Sequence, residues 1–292
     1  MAQGEKNARA VRGTRGPAAS SAAAPFAART VRSAGAPRPA GGQVAALEAQ
    51  ALTLSWDGKH VVVRDVDVTV APGEVCCLVG RSGCGKTTIL HALAGLTTPL
   101  SGRVLLHGED VTGSPGRVSY MLQKDLLLPS RRIIDNVCLP LVLAGMRKAD
   151  ARAKAAPLFE RFGLAGCELK RPGELSGGMR QRAAFLRTYL MGADVTLLDE
   201  PFSALDALTR TDVRRWFVDV AAELGLSALV ITHDVDEAVS MASRIYVLAG
   251  APAAGEPSHV AGIVRVRRVA SESFELTDEY LAAKREVMAL LG

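Results

Sequence analysis

Short apolar runs alternate with glycine-marked breaks along this chain, and the runs are of two kinds. "EVCCLVG" from Glu74, "VTLL" from Val195 and "LVIT" from Leu229 are continuous. Runs of that length and continuity predict strands buried on both faces, the pattern of a parallel sheet. The other kind is spaced at helical intervals. After the first run Ile89, Leu90 and Leu93 recur at that spacing and Gly95 ends the pattern, which predicts a helix. "ADARAKAAPLFERFGL", from Ala149, repeats the helical spacing between Pro and Gly breaks. Alternation of buried strands with helices predicts the α/β class. The longest apolar candidate for a membrane span, "VCLPLVLAGM" from Val137, contains Pro140 and is about half the ~20 residues a span needs. The chain itself is therefore expected not to cross a membrane.

The break after the first strand carries chemistry. Gly80, Arg81, Ser82, Gly83, Cys84, Gly85, Lys86, Thr87 and Thr88 read "GRSGCGKTT", which fits G-x-x-x-x-G-K-[ST] between a predicted strand and a predicted helix. Glycines let successive backbone N–H groups turn toward one centre, and the helix adds the positive end of its dipole. Lys86 is then expected to reach the β- and γ-phosphates of a nucleotide, and the Thr87 hydroxyl to bind Mg²⁺. Cys84 is expected to be a small spacer. The loop leaves the identity of the nucleotide open.

Two further strands end on polar residues. "VTLL" runs into Asp199 and Glu200. Asp199 suits a contact to Mg²⁺ through water, because that ion keeps much of its hydration shell. Glu200, next along the pleat, points to the opposite face unless the backbone bends; freed from the metal, it can polarise an attacking water. "LVIT" runs into His233, on the side of a parallel sheet where doubly wound folds bind ligands. From there His233 is expected to hydrogen-bond the γ-phosphate.

Composition narrows the class further. At 292 residues, 48% of them hydrophobic, the chain can bury the core of one large α/β domain or two small ones. Its net charge of +5 invites a nucleic-acid or membrane-surface reading, but the charge is not spread evenly. Residues 1–43 hold Lys6, Arg9, Arg12, Arg15, Arg29, Arg32 and Arg38 against Glu5, so the remainder has 28 basic and 29 acidic residues. The folded body is not basic, and no nucleic-acid partner is expected. The tail is rich in Ala, Arg, Ser, Gly and Pro with almost no large apolar residue, and is expected to be disordered. An Arg- and Ser-rich, acid-poor start also fits a transit peptide or a segment lying on anionic lipid. The five cysteines are odd in number and lack C-x-x-C spacing, against both a disulfide framework and a zinc site, and a reducing compartment is expected.

A second glycine cradle stands at "ELSGGMRQR" from Glu174, where Ser176, Gly177 and Gly178 open a predicted helix with no nucleophile or metal ligand beside them. Taken with the other motifs in order and spacing, it makes residues from about Ala51 to Gly250 resemble the ATP-binding cassette ATPases, the motor subunits of ABC transporters. "GRSGCGKT" resembles Walker A, Gln123 in "YMLQKDLLLP" the Q-loop, "LSGGMRQR" the signature, and "VTLLDE" Walker B. "SALD" at Ser203 is similar to the D-loop, and Trp56 in "LSWDGKH" to the aromatic residue that stacks on adenine. The resemblance implies ATP and Mg²⁺ as cofactors. It implies a predominantly parallel central sheet, an N-terminal antiparallel β subdomain and a helical subdomain over about 124–180. On that reading residues 44–250 form the ATPase domain and 251–292 a C-terminal extension.

The same resemblance implies a homodimer in which two cassettes pair head to tail. Ser176 and the N–H groups of Gly177 and Gly178 then grip the γ-phosphate held by a second copy's Lys86, and Asp206 touches across the interface. Gln123 reports metal and γ-phosphate to the helical subdomain, which docks a transmembrane permease, with "KDLLLPSRRIIDNVCLPLVL" as the candidate groove. Met179 departs from the commonest signature, which has Gln there, and loses any amide contact to the nucleotide. The blocks "LLLPSRRIIDNVCLPL", "SALDALTRTDVRRW", "HDVDEAVSMASRIYVLAG" and "LTDEYLAAKREVMALL" resemble the nitrate, sulfonate and taurine importer branch, with Ser130 where an aromatic is frequent. The reading is thus an ATPase subunit on the cytoplasmic face of the membrane, driving uptake of a small anionic or heterocyclic solute with an extracytoplasmic binding protein. An exporter motor and a soluble cassette without a permease remain the alternatives. With 59 residues after His233, no large regulatory domain is expected.

Overall fold

The computed structural model describes residues 44–268 and 274–292, so the expected tail over 1–43 lies outside the described residues. The described strands form one ten-stranded sheet in the order β5-β4-β1-β2-β10-β9-β3-β8-β7-β6. The N-terminal strands β1 (Leu47–Ser55), β2 (Val61–Val70), β4 (Ser101–Leu106) and β5 (Glu109–Asp110) pair antiparallel. The strands β3 (Val75–Gly80), β6 (Ser119–Met121), β7 (Val195–Asp199), β8 (Ser227–Thr232) and β9 (Arg244–Ala251) pair parallel. Each of the three continuous apolar runs is a strand here. The residues of β7 and β8 are buried throughout, as strands with both faces covered require.

The last strand, β10 (Glu256–Arg265), is the seam. It pairs antiparallel with β9 and, at Ser258 against Val63, parallel with β2. The division expected at Gly250 does not coincide with a break in the sheet, because β9 runs on to Ala251 and β10 lies between it and the N-terminal strands. Hydrogen-bond pairing, which local hydropathy does not encode, makes these residues an internal part of the sheet.

The sheet separates two apolar cores, and β3 contributes to both because its side chains alternate. Cys76 and Leu78 join Ile89 and Leu90 of α1 (Lys86–Leu93) and residues such as Leu52 and Val63 of the antiparallel strands. Cys77 and Val79 join the opposite cluster, built on α6 (Gly177–Tyr189), α7 (Ala207–Leu224), α8 (Val235–Met241) and α9 (Asp278–Leu291). That cluster extends into the short helices α2 (Ile133–Val137), α3 (Leu139–Leu143), α4 (Lys148–Ala155) and α5 (Leu158–Arg161). Pro140 opens α3, where its missing N–H costs nothing. No helix among the described residues is long and apolar enough to cross a membrane. Buried Asn136 holds the loop ahead of these helices, accepting from Leu128 N at 2.6 Å and donating to Leu128 O at 3.1 Å and the carbonyls of Arg131 and Arg132 at 3.2 Å. All five cysteines are buried and free.

Candidate functional site

Because β3, β6, β7 and β8 run parallel, their C-terminal ends lie along one edge of the sheet, and every site residue expected on a strand end emerges there. Val79 pairs with Thr232, Ile231 with Asp199 and Leu198 with Met121. The phosphate loop, Asp199–Glu200, His233 and Gln123 therefore meet although up to 153 positions separate them in the chain.

At the loop, Gly85 is in the left-handed region at φ 95°, immediately before α1. A side chain there would be strained and would also meet Val63 Cγ2 at 2.9 Å. Lys86 is 6% exposed, and its Nζ donates to the carbonyls of Gly80 at 2.9 Å and Arg81 at 3.0 Å. Among the described residues it has no carboxylate partner. A buried ammonium held only by its own loop's carbonyls is suited to an anionic phosphate, so the residues present fit a nucleotide. Trp56 is not core: it is 62% exposed, and its indole Nε1 donates to Thr88 Oγ1 at 3.2 Å, which sets the ring beside the loop. Arg81 turns away from the loop, donating through Nη2 to the Gly292 carbonyl at 2.7 Å. Cys84 is buried, which pushes its thiol up and suits the expected spacer role.

The carboxylates occupy different environments. Asp199 is buried, and its carboxyl lies above the usual range, raised first by burial and further by the charge of Glu200. Hydrogen bonds from Tyr120, whose Oη is 3.3 Å from Oδ2, and from Thr87 offset part of this. A buried carboxylate beside a hydroxyl is a hard-oxygen donor pair that fits Mg²⁺. No group of three or more His, Cys, Asp or Glu that could hold a metal occurs among the described residues.

Glu200 does not continue the pleat. Its φ is 42°, a left-handed conformation costing about 1–3 kcal/mol in a non-glycine residue. The surroundings hold it there: its N–H donates to Ile231 O at 3.0 Å, and Ser203 Oγ donates to its carbonyl at 2.9 Å. Phe202 beyond it is fully buried, with ring centroids 5.9 Å from Phe185 and 6.0 Å from Phe217. The bend places the Glu200 carboxylate between two expected partners. His233 Nδ1 lies 3.0 Å from Oε1, and Gln123 Nε2 lies 3.3 Å from Oε2 and 3.4 Å from Ser203 Oγ.

The second cradle belongs to a different part of the molecule. Ser176 caps α6, its Oγ accepting from Met179 N at 3.3 Å, and α6 packs on the face of the sheet opposite α1. Gly178 has a packing reason of its own, since a Cβ would lie 2.8 Å from Thr209 Cγ2 on α7. Met179 is half-buried against the apolar cluster. Asp206 caps α7, accepting from Thr209 N at 3.1 Å, and hydrogen bonds from Thr209 hold its carboxyl below the usual range. Ser176, Gly177, Gly178 and Asp206 thus make no contact with the Lys86 loop of their own chain among the contacts described.

A family model for ABC transporters matches residues 63–203. The formylaminopyrimidine import ATP-binding protein ThiZ of Halalkalibacterium halodurans is 35% identical over 240 residues, covering 82% of this chain and 94% of that protein. The chain belongs to the ABC transporter family. The taurine import ATP-binding protein TauB of Pseudomonas aeruginosa is 39% identical over 210 residues, 71% of this chain and 80% of that one. In fold, the dimeric structure of MJ0796, described as a bacterial ABC transporter cassette, superimposes with a TM-score of 0.63 at 24% identity, over 76% of this chain and all of that one. As an ABC transporter subunit this chain binds ATP and hydrolyses it, and its phosphate loop, Asp199, Glu200, His233 and Gln123 converge at the sheet edge described above.

Several residues of this ABC ATPase have contacts that no motif announced. Tyr120, three positions before Gln123, bonds Asp199; burial and the neighbouring Asp199 push its hydroxyl well up. Arg187 on α6 donates to the carbonyls of Leu126, at 2.8 Å, and Asp125, while Arg180 lies 3.4 Å from the Asp125 carboxylate. The segment after Gln123 is thereby tied to the helix that Ser176 caps. Gln181, buried, donates to the carbonyl of Pro201, next to Glu200. The family resemblance reaches the motifs but not these ties, because each joins segments 20 to 79 positions apart.

Proposed function

We propose that this chain is one of two identical ATPase subunits of an importer, closing head to tail on ATP so that each nucleotide lies between one copy's Lys86 loop and the other copy's Ser176 cradle. The observation that carries the reading is the placement of the two cradles on helices of opposite sheet faces, with Ser176, Gly177 and Gly178 making no contact with their own phosphate loop. A second copy is the natural source of the missing half. In each half-site Lys86 and the loop N–H groups bind the phosphates, Thr87 and Asp199 hold Mg²⁺ with Gln123 beside them, and Trp56 faces the base. Glu200 takes the proton of the attacking water, held in place by the bend at its own backbone and by Gln123. His233, 3.0 Å from Glu200, contacts the γ-phosphate and orients the base. Mg²⁺ supplies charge neutralisation at the phosphates.

A permease partner is supported by a cavity of about 1680 Å³ lined by Leu126, Leu139, Leu143, Met146, Lys154 and Arg187. Leu143 is 78% exposed there. The groove includes the segment after Gln123 and borders the Arg187 tie, so a permease helix seated in it would feel changes at the γ-phosphate. Import of a small anionic or heterocyclic solute, with an extracytoplasmic binding protein and at the cytoplasmic face of the membrane, is supported by the names of the formylaminopyrimidine and taurine import relatives.

Glu200→Gln tests the core of this reading. The variant should bind ATP, lose turnover by about 10²–10⁴-fold and accumulate an ATP-dependent dimer in sedimentation velocity. Turnover near that of the parent would remove Glu200 from the role of base.

A further inference from the structure

The C-terminal helix α9 and the residue after it are tied at two separate points to segments adjoining His233 and the phosphate loop. Near its start, Tyr280 Oη donates to Asp236 Oδ1 at 2.6 Å, and Lys284 Nζ donates to the same oxygen at 2.6 Å. Asp236 lies in α8, three positions after His233. At the far end, the Gly292 carbonyl accepts from Arg81, the residue after Gly80 in the phosphate loop. At about 1.5 Å per residue, Tyr280 and Lys284 of α9 (Asp278–Leu291) lie about 18 and 12 Å along the helix axis from Gly292.

What α9 grips is an element with little stability of its own. α8 has only seven residues, and helices that short owe their position to packing. Ala238 and Val239 are buried in the cluster that also takes Tyr280, Ala283 and Val287 of α9. Arg268 adds a hold on the other end of α8, donating to the Ser240 carbonyl while its guanidinium lies over the Phe274 ring at 5.4 Å. Tyr280 packs edge-on against the same Phe274 ring, at 5.7 Å. Asp234 caps α8 through Glu237 N at 3.1 Å, so His233 is the residue immediately before the cap. Any rotation of α8 about its axis moves that residue.

We propose that α9 is a strap that sets the reach of His233, with Tyr280 and Lys284 as positioning residues acting through Asp236 and the Arg81–Gly292 contact as its anchor at the phosphate loop. The inference rests on the reading of His233 as the γ-phosphate contact. Two short, charge-assisted donors on one carboxylate oxygen fix α8 in direction as well as distance. Loss of either lets the His233 imidazole drift from the Glu200 carboxylate, and displacements of about 1 Å at a reacting centre cost up to about a hundredfold in rate.

The test is steady-state ATP hydrolysis by the full chain carrying Lys284→Met, His233→Ala or both, with a thermal melt of each. Lys284→Met should lower kcat about tenfold and leave KM for ATP within about twofold. In the His233→Ala background the second substitution should change nothing, because there is no imidazole left to position. Lys284→Arg, which keeps a cationic donor, should recover most of the loss. Unchanged kcat in Lys284→Met, or a double variant about tenfold below His233→Ala, would overturn the strap while leaving the role of His233 standing. Full turnover in His233→Ala would overturn that role first, and the strap with it. If Lys284→Met melts below assay temperature, Tyr280→Phe, which removes one hydroxyl, carries the same comparison.

Discussion

Ser176 has one hydroxyl and two assigned roles, and a single substitution separates them. Inside the chain its Oγ accepts from Met179 N at 3.3 Å and caps α6. Across the proposed interface the same hydroxyl faces the γ-phosphate held by a second copy. Ser176→Ala removes the cap and should cost about 1 kcal/mol, lowering Tm by about 2–4 °C for a domain of this size. Ser176→Asp keeps the cap, since Asp is as good an N-cap as Ser and its charge suits the positive end of the helix dipole. The interface responds in the opposite way. Two like charges about 4 Å apart, at the effective dielectric of a protein surface, repel by about 4 kcal/mol, close to a thousandfold. Two such sites per dimer multiply to about a millionfold in the association constant if they act independently. The assay is sedimentation velocity in the Glu200→Gln background, with and without ATP, beside a thermal melt. Ser176→Asp should melt with its parent, bind nucleotide as a monomer and fail to dimerise. An Asp variant that dimerises on ATP like its parent would refute the placement of Ser176 against phosphate, and one that melts as low as Ser176→Ala would refute the cap.

Asp199→Asn should alter stability as well as catalysis. Burial raises the Asp199 carboxyl in the folded chain, so that chain keeps its proton at pH values where the unfolded chain has released it. Stability of the nucleotide-free protein is then full below the ordinary carboxylate range and falls as pH rises through the raised value. Asp199→Asn should flatten that part of a urea-melt series, gain stability at neutral pH and lose Mg²⁺-dependent hydrolysis; an unchanged slope would refute the assignment. The two signature glycines should differ. A Cβ at Gly178 meets Thr209 Cγ2 at 2.8 Å and Val213 Cγ2 at 3.0 Å, so Gly178→Ala should cost about 1–3 kcal/mol by overpacking. At Gly177 the nearest atom is Leu205 Cδ2 at an ordinary 3.4 Å, and Gly177→Ala should hold or gain up to about 1 kcal/mol of helix stability. Equal melting shifts would refute this difference.

The amino-acid sequence by itself determined the local chemistry. Continuous apolar runs make strands buried on both faces, and the residue that ends each run, Gly80, Asp199 or Thr232 ahead of His233, stands where a parallel sheet presents its ligands. The phosphate loop was legible because its glycines, Lys86 and Thr87 act within one turn of backbone, and a contact that short is written in consecutive letters. That Trp56 lies beside Thr88 and Gln123 beside Glu200 was anticipated only through family spacing. Tertiary structure decided the rest. Whether Glu200 faces away from Asp199 or toward His233 depends on a left-handed bend held by Ile231, Ser203 and buried Phe202. The second glycine of the signature is needed for packing on α7, a point that only the neighbouring Thr209 reveals. The Arg81 side chain donates to Gly292, 211 positions away, and β10 enters the sheet between β9 and the N-terminal strands. Hydropathy period specifies which face of an element is buried. It carries no information on which other element covers that face, and these partnerships are set by strand order, which the whole core decides at once.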